Sequence, residues 1–182
     1  MPTPIGHALG GVIVGLLTGL EGTSTATGAA RAAGATSPST PRPWTVDRAV
    51  LICAVVACLP DLDFFWGRHN METHSLGFAV LVGLGVLAWQ RSARLALACA
   101  LSVASHVLFD WLGSDDSPPL GVMALWPLSR EFYFADAFIF EAISRRYWLP
   151  TFITHNLLAV AREIAILFPP LALSWWVRKR RA

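Results

Sequence analysis

Apolar stretches recur along the chain, separated by segments rich in polar residues, glycine or proline. The apolar positions show no period-2 alternation long enough to suggest a sheet, so the pattern favours helices. We predict five apolar helical spans, at residues 4–20, 47–60, 74–89, 95–112 and 150–177. Several spans are shorter than the roughly 20 apolar residues of a full membrane crossing, and His or Asp stands at most of the short ends.

Two long segments between the spans differ from them in composition. Residues 21–46 are rich in Gly, Ser, Thr, Ala and Pro, which is typical of a flexible connector without a core of its own. Residues 113–149 mix prolines with aromatic residues, and we expect them to fold over one membrane face as a lid. The whole chain, residues 1–182, is predicted to form a single membrane-embedded domain.

The composition favours a membrane protein over a soluble one. Hydrophobic residues make up 54% of the chain and charged residues only 14%, against about a quarter in soluble domains. This composition excludes a disordered chain, and a net charge of +2 argues against nucleic-acid binding through a basic face. Cys53, Cys58 and Cys99 lie in apolar runs and suggest no disulfide framework. We therefore predict an all-α, polytopic membrane bundle of about five transmembrane helices.

The basic residues indicate how such a bundle is oriented. With five spans, three groups of Lys and Arg share one side, namely those at 31–48, at 91–94 and at 178–181. The positive-inside rule places this side, the C-terminus and the 21–46 connector in the cytoplasm. The N-terminus and residues 113–149 are then non-cytoplasmic, and the chain is predicted to be an integral, multi-pass membrane protein.

Ionisable side chains lie at a similar depth in all five spans. At a helix rise of about 1.5 Å per residue, they stand roughly 18–25 Å from the cytoplasmic ends. Ionisable groups at such depth normally face a protein interior or a wet cavity. They are His7, Asp61, Asp63, His74, His106, Asp110 and Glu163.

One helix face supports an inward direction for His7. Gly11, Gly15 and Gly19 follow His7 at i, i+4 spacing, and a stripe of small residues is typical of a close-packed helix face. His106 and Asp110 are also i, i+4 partners on one face.

Each residue also has an ordinary interpretation. His7 could be a hydrogen-bonded packing residue, His106 and Asp110 could form a salt bridge within one helix, and Asp61 and Asp63 could cap a helix. As a set, imidazole nitrogens and carboxylate oxygens without thiolates suit a divalent metal, zinc first and manganese or iron next, with one or two ions. The predicted ligands are His7, Asp61, Asp63, His74, His106 and Asp110.

Five short motifs occur in order over roughly residues 1–140. They are His7, Leu59-Pro60-Asp61-Leu62-Asp63, Arg68-His69 with Thr73-His74-Ser75, Ser105-His106-x-x-x-Asp110, and Gly121 with Leu125-Trp126-Pro127. In this order the motifs resemble the YdjM family, whose members are described as LexA-binding, inner-membrane-associated proteins and as candidate metal-dependent hydrolases. The resemblance implies an inner-membrane location and a metal-binding and catalytic set formed by the six predicted ligands, with Asp61, Asp63, His74 and Asp110 as the catalytic residues. Family members often read His-Arg-Gly-x-Thr-His-Ser, whereas here Arg68 precedes His69 and the glycine is missing.

A weaker similarity reaches the zinc-dependent phospholipase C and P1-type nuclease superfamily. These helical enzymes also order an early His, an Asp, a His and a His-x-x-x-Asp motif. This chain lacks their N-terminal Trp ligand, and Ala159 stands four residues after His155 where an acid is expected. By analogy alone, the likeness implies phosphoester chemistry.

The predicted function is hydrolysis of a phosphoester, either a lipid headgroup or a lipid-linked phosphate, by a metal-activated water. The expected partners are the bilayer and this substrate, without nucleic acid; LexA binding is only a family label, and LexA is cytoplasmic. A transporter or proton relay and a non-enzymatic membrane scaffold remain alternatives. Residues expected around the ligands or against the substrate are Arg68, His69, Asp115, Asp116, Trp126 and Glu163. His155 and the pair of Arg162 with Glu163 have ordinary polar interpretations.

Overall fold

The computed structural model describes residues 2–19, 48–66, 69–115 and 118–181. The α-helices are α1 (Pro4–Leu17), α2 (Arg48–Ala57), α3 (Leu76–Gln90), α4 (Ala93–Leu112) and α5 (Phe152–Arg181), and a 3-10 helix covers Pro60–Trp66. Over these ranges the backbone forms isolated β-bridges but no strand. The predicted all-α class is thereby confirmed. The predicted connector 21–46 lies outside the described residues.

Local sequence explains where several helices begin and end. The predicted span 47–60 ends earlier, at Ala57. Cys58 and Leu59 then bond three residues back, to the Val55 and Val56 carbonyls, and the chain continues from Pro60 as a 3-10 helix. Ser75 caps α3, since its hydroxyl accepts the Phe78 N–H at 3.0 Å. The longest helix, α5, runs through Pro169 and Pro170 without ending.

Two helices, α4 and α5, are long and apolar enough to cross a membrane. Helices α1, α2 and α3 have 14, 10 and 15 residues, below the roughly 20 of a complete span. Five complete crossings are therefore not confirmed. All five helices nevertheless expose large apolar side chains, among them Leu51, Val80, Leu97 and Phe168.

Helix α1 occupies the centre of the bundle and packs against α2, α4 and α5, while α4 also packs against α2 and α3. A Cβ atom built on Gly11 would lie 2.7 Å from the carbonyl carbon of Cys53, and one on Gly15 would lie 3.0 Å from the Cα of Val50. The predicted small-residue face is confirmed at these two positions, where it brings α1 onto α2. Gly19 has no such neighbour among the described residues.

The segment after α4 covers one end of the bundle. Its backbone bonds to the ends of the helices through Ile139 N–H to the Leu112 carbonyl at 2.9 Å and through Gly77 N–H to the Trp126 carbonyl at 3.1 Å. A side chain on Gly77 would collide with Trp126 and Pro127, so this close approach requires glycine. The segment therefore lies over the end where α3 begins and α4 ends.

Candidate metal centre

Three helices and a loop deliver polar side chains to the covered end of the bundle. His7 lies in the first turn of α1, His106 and Asp110 lie in the last two turns of α4, Asp61 lies in the 3-10 helix and His74 precedes α3. The α4 residues are four apart and so share one face. The structure thus brings together residues that the sequence placed at one depth.

The carboxylate of Asp110 lies at the centre of this group. Its Oδ1 is 3.3 Å from His7 Nε2, and its Oδ2 is 2.9 Å from His106 Nε2 and 3.4 Å from His74 Nε2. All four side chains are almost completely buried, with 0–2% of each residue exposed. Three imidazoles from different parts of the chain therefore face one buried carboxylate.

Asp61 forms the open side of the group. Its Oδ1 lies 3.8 Å from His74 Nε2 and 3.7 Å from His106 Nε2. Its side chain is 17% exposed, and it also lines a cavity described below. A molecule in that cavity can reach the group at Asp61.

The facing atoms have no hydrogen-bond partners in the described part of the chain. These atoms are the Nε2 atoms of His7, His74 and His106 and both carboxylate oxygens of Asp110. Buried polar atoms are paired in the great majority of cases, so several orphaned atoms pointing at one another indicate a missing ligand. Nitrogen lone pairs and carboxylate oxygens in this arrangement fit a divalent cation.

Bonds on the far side of two imidazoles direct their Nε2 atoms inward. His106 Nδ1 lies 2.7 Å from the Ala57 carbonyl, which can only accept, so Nδ1 carries the proton. His74 Nδ1 lies 3.1 Å from Thr73 Oγ1, whose own proton goes to Asp63, and 3.1 Å from Asp63 Oδ2, so this nitrogen also carries its proton on the far side of the ring. Such partners behind the ring are typical of metal-binding histidines, because they fix the tautomer and the ring orientation.

Asp63 orients other side chains rather than facing the Asp110 carboxylate. It accepts bonds from Thr73 Oγ1 at 2.8 Å and from His69 Nδ1 at 2.7 Å, besides His74. Within the described ranges three residue groups have metal-ligand spacing, and the group of Asp63, His69 and His74 is one of them. In that group the facing atoms bond to one another. The other two groups are His7–His106–Asp110 and Asp61–His74–His106. They contain the buried atoms that have no hydrogen-bond partner among the described residues, together with the carboxylate of Asp61.

The acids at this site favour a charged His74. Burial alone would lower the pKa of His74, but the facing carboxylates of Asp61, Asp63 and Asp110 outweigh it and raise this pKa to about 9. Burial opposes ionisation of Asp61 and Asp63, yet the facing imidazoles hold both pKa values below their ordinary range. In the metal-free protein His74 is therefore protonated at neutral pH.

Glu163 supports the site from α5. Its carboxylate accepts the Thr3 N–H and the Thr3 hydroxyl, each at 2.6 Å, and so holds the start of α1 next to His7. Arg162 does not pair with Glu163 as the sequence suggested. It reaches Glu141 at 3.2 Å.

The other predicted neighbours lie at varying distance from the cluster. Asp115 accepts the Asn70 side-chain amide at 3.3 Å and the Gly121 N–H at 3.1 Å. Trp126 holds the start of α3 through its carbonyl and is not among the residues that line the cavity. Arg68 and Asp116 lie outside the described residues.

A cavity of about 1140 Å³ opens beside Asp61. His69 and Asp115 line it together with Arg145, Arg146 and His155. Sequence reasoning assigned no site role to the last three. They come from the predicted lid and from the first turn of α5, and no motif marks them.

The comparisons with known proteins give one match. A family model described as YdjM inner membrane protein matches residues 1–180. No curated protein and no solved structure matches the chain.

Proposed function

The chain belongs to the YdjM inner membrane protein family, and from this premise we propose that it is a membrane-bound, metal-dependent hydrolase of a phosphoester. One observation carries the proposal: buried, unpaired nitrogen and oxygen atoms of His7, His74, His106 and Asp110 face one another beside an open cavity. A purely structural cluster would satisfy these atoms with hydrogen bonds. A hydrolase needs both a metal centre and access for its substrate.

The residues divide into ligands and supporting groups. His7, His74, His106 and Asp110 would hold the ion, with Asp61 completing the ligand set on the cavity side. A bound divalent cation supplies Lewis-acid activation of water and neutralises negative charge on a phosphate. Asp61 is the carboxylate within reach of water in the cavity, so it is the candidate general base. Asp63 and the Ala57 carbonyl keep two imidazoles aligned.

The chemistry of the donors favours zinc, with manganese or iron as alternatives. Imidazole nitrogens and carboxylate oxygens supply every donor, and the cysteines lie outside the group. The two groups with orphaned atoms share His106 but centre on different carboxylates, Asp110 and Asp61. This arrangement suits one or two ions.

Membrane insertion through α4 and α5 would put the site at one edge of the bilayer. His106 and Asp110 lie near the end of α4, and the described buried His, Asp and Glu side chains all belong to this end of the bundle. Towards the other end, the buried face of α4 continues with Val103, Ser102 and Cys99. A proton or ion pathway would need polar groups through the full depth, so this distribution favours a one-sided hydrolytic site over a transporter.

Metal analysis of detergent-purified protein tests the centre. Wild type is expected to hold one or two equivalents of a divalent metal and His106→Ala close to none, because this variant removes a shared donor. His155→Ala is the matched control, since His155 lies outside the orphaned group. Equal and negligible metal in all three proteins would remove the hydrolase proposal.

Activity and sidedness need separate measurements. Metal-loaded wild type should hydrolyse a chromogenic phosphodiester or a phospholipid, and His106→Ala should not. Residue Leu128 is 92% exposed on the segment over the site. A single cysteine there, with the native cysteines replaced, should label from the non-cytoplasmic side, and labelling only from the cytoplasm would reverse the proposed orientation.

A further inference from the structure

The cavity beside Asp61 has one wall from the metal centre and one from the lid. Asp61, Phe64 and His69 form the first wall, and Arg145 and Arg146 belong to the second. Its volume of about 1140 Å³ exceeds the roughly 300–1,000 Å³ of ordinary ligand pockets. The space is large enough for a headgroup and the first part of attached chains.

The charges that line the cavity leave the two arginines available. Glu141 is paired with Arg162 at 3.2 Å, and Asp115 accepts bonds from an amide and a backbone N–H. Neither Arg145 nor Arg146 has a carboxylate within 4.0 Å in the described part of the chain. Two unpaired guanidinium groups therefore share a cavity with the open side of the metal centre.

Arg145 is held in a geometry that suits anion binding. Its guanidinium carbon lies 4.4 Å from the centre of the Phe64 ring, and the Phe64 ring stacks on His69 with 3.7 Å between centroids. Stacking occupies a face of the guanidinium, while its N–H donors point outward from the edge of the plane. Such a fork can bind two oxygens of one phosphate.

The backbone that carries the arginines is fixed by the start of α5. Asn156 accepts the Ser144 N–H at 2.7 Å and donates to the Ser144 carbonyl at 3.0 Å. His155 Nε2 bonds the Ala142 carbonyl at 2.8 Å, and the Ala142 N–H donates to Ser114 Oγ at 2.7 Å. Because these bonds exist without a ligand, little ordering remains to be done when an anion binds.

Exposed aromatic residues at the rim favour a lipid as the source of the anion. Phe65 lines the cavity and is 83% exposed, and Tyr147 and Trp148 follow Arg146 with 76% and 67% exposure. Aromatic side chains of this kind are enriched at membrane–water interfaces. The apolar outer face of α5 begins directly afterwards with Ile153, 67% exposed, and can lie along acyl chains.

We propose that this cavity binds the phosphate-bearing headgroup of an anionic phospholipid and that Arg145 and Arg146 recognise it. The acyl chains leave past the exposed aromatic residues into the bilayer. The assignment of this cavity as the substrate's site rests on the proposed hydrolase function. Binding of the lipid to the cavity is measured without turnover.

The test uses full-length protein in detergent, stripped with EDTA so that no hydrolysis occurs. Short-chain phosphatidic acid and phosphatidylcholine with the same chains are titrated while tryptophan fluorescence is recorded. Wild type should bind phosphatidic acid at least tenfold more tightly. Arg145→Ala and Arg146→Ala should each weaken this binding by roughly tenfold, the loss expected for charge-assisted hydrogen bonds. Arg130→Ala is the matched control, because Arg130 is exposed on the same segment but does not line the cavity.

The basic residues 178–181 give the same non-specific background in every variant, so the difference between variants reports the cavity. Arg145→Lys keeps the charge but loses the planar fork and should recover only part of the affinity. An unfolding temperature equal to that of wild type in each variant shows that the fold is intact. Undiminished binding by the double variant Arg145→Ala/Arg146→Ala would overturn the proposal. If water-soluble glycerol phosphate binds as tightly as phosphatidic acid, the claim that a lipid supplies the bound phosphate is refuted.

Failure of this inference and failure of the hydrolase proposal have different signatures. Arginine-dependent lipid binding that persists in His106→Ala supports the headgroup site even without a metal centre. A protein that holds metal and cleaves phosphoesters, yet binds phosphatidic acid independently of both arginines, refutes the headgroup site alone.

Discussion

Replacing Gly11 with alanine should separate α1 from α2. The new Cβ would lie 2.7 Å from the Cys53 carbonyl carbon and 2.8 Å from the Ala54 Cα, with the Cys53 carbonyl oxygen nearer still. All three atoms belong to the backbone, so no rotamer change relieves the contact. Ordinary contacts begin near 3.4 Å, and the helices must therefore move apart by several tenths of an ångström or more. Overpacking of this kind costs about 1–3 kcal/mol.

The same movement reaches the metal centre. His7 lies one turn before Gly11 on α1, whereas His106 is bonded to Ala57 at the end of α2. Separating α1 from α2 therefore pulls His7 Nε2 away from Asp110 Oδ1, now 3.3 Å distant. We expect Gly11→Ala to lower both the unfolding temperature and the metal content.

The matched control is Gly85→Ala, because a Cβ at Gly85 meets nothing within 4 Å. Alanine there should be neutral or stabilise α3 by about 0.5–1 kcal/mol. Unfolding of detergent-purified protein is followed by tryptophan fluorescence, with about 2–4 °C expected for each kcal/mol. If Gly11→Ala unfolds at or above the temperature of Gly85→Ala, the proposed close packing of α1 on α2 is incorrect.

Three further predictions concern the supporting groups. Because the facing carboxylates raise the pKa of His74 to about 9, metal uptake between about pH 7.5 and 8.5 should release one proton from His74, and the apparent metal affinity should rise with pH. Calorimetry in two buffers of different ionisation heat measures the number of protons released. If no proton is released, His74 is not a ligand. Asp63→Asn removes the charge behind His74 and should weaken metal binding by about 10–100-fold, so unchanged affinity in the same titration would contradict its orienting role. Glu163→Gln should destabilise the protein by about 1–3 kcal/mol, because the hydrogen bonds from Thr3 weaken. The control Glu131→Gln changes an exposed residue and should alter stability by less than about 0.5 kcal/mol. Equal melting curves for the two variants would argue against the contact between Thr3 and Glu163.

Much of the helical framework could be predicted because apolar periodicity is a local property. The depth of His7, His74, His106 and Asp110 followed from helix rise alone, and the i, i+4 pair on α4 was placed on one face. The number of complete membrane crossings could not be predicted, since apolar runs continue past helix ends, as they do from Ala57 to Pro60.

The different positions of Asp61 and Asp63 depend on tertiary packing. Side chains two positions apart point to different sides of a helix, as they do in the 3-10 helix here. One carboxylate faces His106, while the other lies behind His74. The motif alone does not reveal which of the two sides faces the cluster.

The cavity residues Arg145 and Arg146 could not be predicted either. Their segment is irregular, and bonds to Asn156, His155 and Ser114 fix its path. Such contacts between distant parts of the chain leave no periodic signal in the sequence.

The bond between Thr3 and Glu163 joins residues that lie 160 positions apart. During translation, the first turn of α1 leaves the ribosome long before α5 is made. The Thr3 N–H and hydroxyl therefore lack their acceptor until Glu163 has been synthesised. A nascent chain arrested after α4 thus holds His7, His74 and His106 but has an unanchored N-terminal turn. Anchoring of the turn that carries His7 is consequently a late step in biogenesis, completed only when α5 is made.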